Sequence, residues 1–246
     1  LYCYARYMKK FKEKPQDWGY FVDVKVNAPA VLTNQIKKIK NTCRHKPEVF
    51  MSSICDPWQP LEAKYGLSRA CLKILLEAGF YVSILTKSSL IRQDFDLLEA
   101  YKTHNLGITI TTLNPGLQKL LEPYASNPQE RLSILEMASE KGIEIWVFLG
   151  PLIPEFSDTL ANLEPIFMAL KGLNLSKIYV DRLNPRWGVL ESLRRGLSAY
   201  DFKRTRLLLY KCTNTSRYLE YSHKLRQNCL ELAIKSGLLD KLTFCF

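Results

Sequence analysis

The chain has 246 residues, with 35 Lys and Arg against 24 Asp and Glu, and a formal net charge of +11. At 47% hydrophobic it is neither disordered nor membrane-spanning, since no window approaches the roughly 18–20 uninterrupted apolar residues that a spanning helix needs. Its eleven glycines include no G-x-G pair, which excludes the dinucleotide fingerprint and the P-loop, and His45, His104 and His223 form no H-E-x-x-H, which argues against a zinc hydrolase.

In chain order, residues 20–26 read as a strand with alternating valines and residues 30–41 as a helix. Residues 48–54 form an apolar run that ends in Ser52-Ser53-Ile54-Cys55-Asp56. A helix follows over 67–79, with Ser68 as its N-cap and Gly79 closing it. Residues 81–85 are the next strand, 94–104 a helix and 107–112 a strand. Residues 128–141 are a helix stopped by Gly142, 143–149 a strand, 158–170 a helix and 177–180 a strand. Five strands alternating with four helices predict parallel β/α units. Beyond about residue 190 the alternation stops: 197–211 and 217–236 read as helices, and 242–246 as an apolar tail. One main domain with a helical C-terminal extension accounts for this order.

Charge is uneven. Residues 1–50 hold eleven Lys/Arg against four Asp/Glu, and residues 181–246 hold thirteen against six, while 51–180 are slightly acidic at eleven against fourteen. If the two basic ends meet in space, they make a face that attracts phosphates; otherwise they are solvated helix faces. The seven cysteines are odd in number, show no C-x-x-C and follow no secretory leader, a pattern that suits a reducing cytosol. The chain opens on Leu1 without a capping signal, and the start reads as cut inside a larger element.

Sites of parallel α/β proteins lie at the C-terminal strand ends. The residues there are Ser52, Ser53, Cys55, Asp56 and Gln59, then Thr86, Lys87 and Ser88, then Thr109, Thr111, Thr112 and Asn114. Pro151, Ile153 and Pro154 follow the fourth strand, and Asp181, Arg182, Asn184 and Arg186 the fifth. Ser88 and Thr112 read as caps for the next helix, and Trp58 as packing. Lys87, alone after an apolar strand, points to a function in the mouth.

These segments carry a resemblance. Leu1-Tyr2-Cys3-Tyr4-Ala5-Arg6 is similar to the tail of the cysteine loop C-x-x-x-C-x-aromatic-C of radical S-adenosylmethionine (SAM) enzymes, in the spore photoproduct lyase-like branch, also called DNA repair photolyase-like. Val24-Lys25-Val26-Asn27-Ala28-Pro29 resembles V-K-x-N-A-P, and Asp56-Pro57-Trp58-Gln59-Pro60-Leu61-Glu62 resembles D-P-Y-Q-P-x-E. Ile84-Leu85-Thr86-Lys87-Ser88, Thr111-Thr112-Leu113-Asn114, Leu121-Glu122-Pro123, Arg131-Leu132 and Pro151-Leu152-Ile153-Pro154 with Asp158 resemble further branch segments, in order and spacing.

The resemblance implies a partial (β/α)6 TIM-like barrel over 1–187, lacking its first strand and first two cluster cysteines, with the extension over 188–246. It also implies a [4Fe–4S] cluster, SAM and an electron donor such as a flavodoxin or ferredoxin. Cleavage of SAM there gives a 5′-deoxyadenosyl radical that abstracts a substrate hydrogen. Carried over, Cys3 matches the third cluster cysteine and Tyr2 the aromatic position beside the adenine. Ser52, Ser53 and Asp56 fall where the amino group of SAM binds, Lys87 where its carboxylate binds, Thr109 near the ribose, and Ile153 against the adenine. Cys55 is either a hydrogen donor or a small buried apolar residue. The net charge makes nucleic acid a candidate substrate. The other reading is a barrel protein without a cluster that binds nucleic acid through its basic faces.

Overall fold

The computed structural model describes residues 1–8, 13–40, 46–52 and 54–246; Cys43 and Ser53 therefore lie outside the described residues. Six parallel strands form one sheet in consecutive order: β1 (Val49–Met51), β2 (Val82–Thr86), β3 (His104–Ile110), β4 (Ile145–Leu152), β5 (Leu175–Arg182) and β6 (Leu242–Phe244). The helices are α1 (Ala28–Lys40), α2 (Leu67–Glu77), α3 (Phe95–Ala100), α4 (Pro115–Leu121), α5 (Pro128–Glu140), α6 (Leu160–Leu170), α7 (Trp187–Leu197), α8 (Phe202–Cys212) and α9 (Thr215–Ser236), with a single helical turn at Glu62–Tyr65. Sequential parallel pairing with helical crossovers is the α/β architecture of a partial TIM-like barrel.

Local sequence accounts for several boundaries. Asn127 and Glu130 form a reciprocal capping box at α5, with backbone N–H donors at 2.9 and 3.0 Å, and Pro128 fills the first turn. Gly142, with φ +67°, ends that helix as expected.

Three expectations need correction. Residues 20–26 form no strand, and Tyr20, Val22 and Val26 stand exposed with no apolar layer to cover them. Ser68 does not cap α2; its backbone N–H and that of Arg69 donate to the Glu62 carboxylate at 2.9 Å each, so an acid from the preceding turn does the capping. The apolar tail is β6, which pairs with β5 through Ile178–Leu242 and Val180–Phe244, so the helical extension returns a strand to the barrel.

Strand parity divides the sheet into two faces. Val82, Ile84, Leu106, Ile108, Ile110, Ile145, Val147, Leu149, Ile178 and Val180 are buried in one cluster with the helix residues Leu72, Leu76, Leu98, Leu135 and Phe167. The opposite parity lines the inside of the barrel. Trp146 Nε1 donates to Asn105 Oδ1 at 2.9 Å, and Ser83 Oγ donates to the same oxygen at 2.8 Å. The Tyr179 ring meets Trp146 edge-on at 5.3 Å, and a Cβ on Gly107 would stand 2.3 Å from the indole. The lower barrel is therefore plugged by aromatic rings, and the open end is at the C-terminal strand edge. No helix among the described residues is long and apolar enough to cross a membrane.

Candidate active site at the barrel mouth

Parity brings three of the expected residues to one face. Ser52 continues the inward set of Phe50, Lys87 that of Ser83 and Leu85, and Thr109 that of Asn105 and Gly107. Ser52 has φ +106°, a conformation that costs a non-glycine residue free energy and recurs at functional sites. Thr109 is 2% exposed.

Asp56 fixes the loop after β1. Its carboxylate accepts from Thr86 Oγ1 at 2.7 and 2.9 Å, from the Lys87 backbone N–H at 2.8 Å and from the Trp58 N–H at 2.9 Å. Trp58 is fully buried, and its Nε1 donates to buried Asp94 at 2.6 Å, which agrees with the packing role read for it. Asp56 thus ties the end of β1 to the end of β2 and aims Lys87. The Lys87 ammonium has no acidic partner within ion-pair distance among the described residues; it lies 6.0 Å from the centre of the Tyr2 ring. Cys55, in the same loop, is exposed, which rules out the buried apolar reading.

Behind the mouth lies a buried ionic network made by the Leu121-Glu122-Pro123 and Arg131-Leu132 segments, whose residues carry no site role in their own sequence neighbourhood. Arg131, 2% exposed, donates to Glu122, to the Thr109 carbonyl at 3.1 Å and to the Ser126 carbonyl at 2.9 Å. Glu122 also accepts from Tyr2 Oη and from Thr111 Oγ1 at 3.1 Å. Burial by itself pushes the Glu122 carboxyl up, but Arg131, Lys87 and the Tyr2 hydroxyl outweigh it and hold the group below its ordinary value. Burial and the Glu122 charge push the Tyr2 phenol well up, so it stays a neutral donor.

Tyr2 leads directly to Cys3, whose thiol is half-buried at the head of the helical turn Tyr4–Tyr7. That segment rests on α7: Tyr7 Oη donates to the Gly188 carbonyl and Arg6 to Ser192 Oγ, while the Leu1 side chain covers Gly196. Ile153 is completely buried in the second apolar cluster with Leu117, Leu121, Phe156, Leu183 and Leu193, against which Leu1, Tyr2 and Tyr7 pack. Arg182 turns away from the mouth, with its guanidinium between the rings of Tyr218 at 4.4 Å and Phe246 at 4.9 Å. Ser88 caps the 3-10 turn Ser89–Asp94 by accepting from the Leu90 N–H, as expected.

The other described thiols are elsewhere: Cys71 is on α2, Cys212 and Cys229 are buried on α8 and α9, and Cys245 follows β6. No group of three His, Cys, Asp or Glu among the described residues is arranged to hold a metal ion. Cys3 is half-buried next to Tyr2 at the mouth, and no second thiol among the described residues shares its segment.

A parallel partial barrel with its polar side chains gathered at the C-terminal mouth is a scaffold for an enzyme site. The family model for the radical SAM superfamily matches residues 1–163, and the chain belongs to that superfamily. An uncharacterized protein of Methanocaldococcus jannaschii is 35% identical over 194 residues, covering 75% of this chain and 71% of its own length. Spore photoproduct lyase complexed with dinucleoside spore photoproduct superposes with a TM-score of 0.68 at 13% identity, over all of this chain and 72% of that one. SuiB of Streptococcus suis bound to SAM gives a TM-score of 0.50 at 12% identity, over 75% of this chain and 42% of that one.

Proposed function

We propose that this protein binds SAM at the barrel mouth and uses it for hydrogen abstraction from a substrate bound above the mouth. A thiolate-held iron–sulfur cluster, with Cys3 as one ligand, would supply the electron for cleaving the sulfonium bond of SAM, so that hydrogen abstraction from a substrate could follow at the mouth. The observation that carries the reading is Lys87, aimed at the mouth by the Asp56 clamp, whose ammonium makes no ion pair among the described residues and feels buried Glu122 only at a distance.

In this reading Lys87 pairs with the SAM carboxylate as a point charge. Ser52 and the Asp56 loop, with Ser53, receive the amino group, Thr109 the ribose, and Tyr2 the adenine, with buried Ile153 packed behind it in the apolar cluster. Cys3 would be one cluster ligand, and Cys55 would give its thiol hydrogen to the product radical, the S–H bond breaking as the C–H bond forms and the resulting thiyl being returned to thiol by one electron from the electron donor and a proton from solvent. The Trp146 and Tyr179 plug keeps bulk water from entering below, which protects a reactive intermediate. A reduced flavodoxin or ferredoxin supplies the electron, the compartment is the cytoplasm, and nucleic acid is the substrate class that the charge of +11 favours.

The test is SAM binding by calorimetry with the full gene product, wild type against Lys87→Met. Loss of one charge-assisted contact, worth about 1.5–3 kcal/mol, raises Kd by roughly 10- to 100-fold. Equal affinities would remove Lys87 from the site. Anaerobic iron and sulfide reconstitution with dithionite should yield 5′-deoxyadenosine; if none forms, the radical reading fails and the nucleic-acid-binding barrel takes its place.

A further inference from the structure

We infer that α7, the first helix of the C-terminal extension, is the positioning element for the Cys3 segment, acting through Gly188, Ser192 and Gly196. The inference rests on the proposed role of Cys3 for its functional meaning, but its geometry stands apart from that role.

Gly188, Ser192 and Gly196 recur every four residues and so share one face of α7. Each meets a different residue of the N-terminal segment. The Tyr7 ring packs against Gly188, where a Cβ would stand 2.4 Å from a ring carbon, and its hydroxyl donates to the Gly188 carbonyl. Arg6 donates to Ser192 Oγ. Leu1 covers Gly196, where a Cβ would stand 2.4 Å from a leucine methyl. Arg186, which precedes α7, places its guanidinium 5.8 Å from the Tyr4 ring centre.

Cys3 is therefore held between two anchors. On the barrel side Tyr2 is fixed by Glu122. On the other side Leu1, Arg6 and Tyr7 are fixed on α7. Cys3 precedes a four-residue 3-10 turn, Tyr4–Tyr7, whose few internal hydrogen bonds leave its placement to the surfaces it lies on. At Gly188 and Gly196 the missing side chains leave the room that Tyr7 and Leu1 occupy, one in the first turn of α7 and one in the last. Thiolate ligands need their Sγ atoms held in a defined geometry, which packed surroundings provide.

The experiment uses Gly188→Ala and Tyr7→Ala in the full gene product, with Arg195→Ala, on an exposed part of α7, as control. The readout is the alkylation rate of each cysteine by N-ethylmaleimide before metal loading, followed by peptide mass spectrometry. Gly188→Ala should raise Cys3 labelling at least tenfold while leaving Cys229 protected and thermal unfolding a single cooperative transition. Tyr7→Ala should raise Cys3 labelling similarly, and Arg195→Ala should not. After anaerobic reconstitution, the first two variants should retain less iron per chain than the control. Unchanged Cys3 labelling in both Gly188→Ala and Tyr7→Ala overturns the inference, as does a rise matched by global unfolding. If the wild type yields no 5′-deoxyadenosine while the labelling pattern holds, the radical reading fails and the seat remains.

Discussion

Replacing Glu122 by Gln tests whether the buried network really supports the mouth. The substitution keeps shape and one acceptor oxygen, so Tyr2 and Thr111 can still donate to it. It removes the charge facing Arg131 and turns an N–H2 donor toward a guanidinium that is 2% exposed. A buried ion left without its partner costs about 3–5 kcal/mol, because desolvation is no longer offset. In a chain of this size each kcal/mol shifts Tm by about 2–4 °C, so the midpoint should fall by roughly 6–20 °C.

The pH dependence follows from the lowered Glu122 pKa. A carboxyl held below its ordinary value of 4.5 stabilises the fold fully above that value, and the contribution is lost as pH falls through the lower folded value. The gap between wild type and Glu122→Gln should therefore be constant from pH 8 to about 5 and close below about 4.5. Thermal melts followed by circular dichroism across that range read both effects. Glu191→Gln, whose partners Arg194 and Arg195 are solvent-exposed, should leave the midpoint unmoved. A Glu122→Gln midpoint equal to the wild type at pH 7, or a gap that widens in acid, refutes the reasoning.

Two further outcomes follow from groups outside that network. Asp158 lies in a cavity of about 190 Å3 with Glu155, Lys211 and Lys224, and burial, opposed by Lys211 and aided by Glu155, raises its pKa from 3.8 to about 7. The folded state then holds a proton that the unfolded state releases, so stability falls as pH rises from about 4 through about 7. Asp158→Asn should flatten that slope and raise stability at pH 8 by at most about 4 kcal/mol in urea titrations; an unchanged slope contradicts it. In turnover assays, Cys55→Ala should yield side products from a misdirected substrate radical, and clean product formation by that variant removes Cys55 as the hydrogen donor.

The sequence carried the barrel because its outward strand residues are aliphatic runs packed on helices, a signal that needs no partner to be read. It carried Lys87 and Asp56 because strand ends are where side chains of parallel sheets become available. What it hid depends on pairing across the chain. Glu122 and Arg131 are nine residues apart, on either side of a turn, and nothing in their own neighbourhood says that Tyr2 closes the network from the other end of the sequence. The 242–246 tail reads as a terminus until β5 is there to pair with it. Residues 20–26 misled because alternating valines signal a strand only when a sheet is present to receive them, and here they stand exposed.

The same dependence on distant partners bears on how the mouth is built. Its floor is closed by Trp146 and Tyr179 from β4 and β5, and its wall is stiffened by Arg131 reaching from α5 to the Thr109 carbonyl. Its lip is set by Asp56 gripping Thr86 and the Lys87 backbone. None of these holds uses the Lys87 ammonium. Within the protein the Lys87 ammonium gains only the through-space attraction of buried Glu122, with which it makes no ion pair among the described residues. A ligand carboxylate would pair directly with a charge that Glu122 answers only at a distance, and this is the ground for the proposal that Lys87 meets SAM at the mouth.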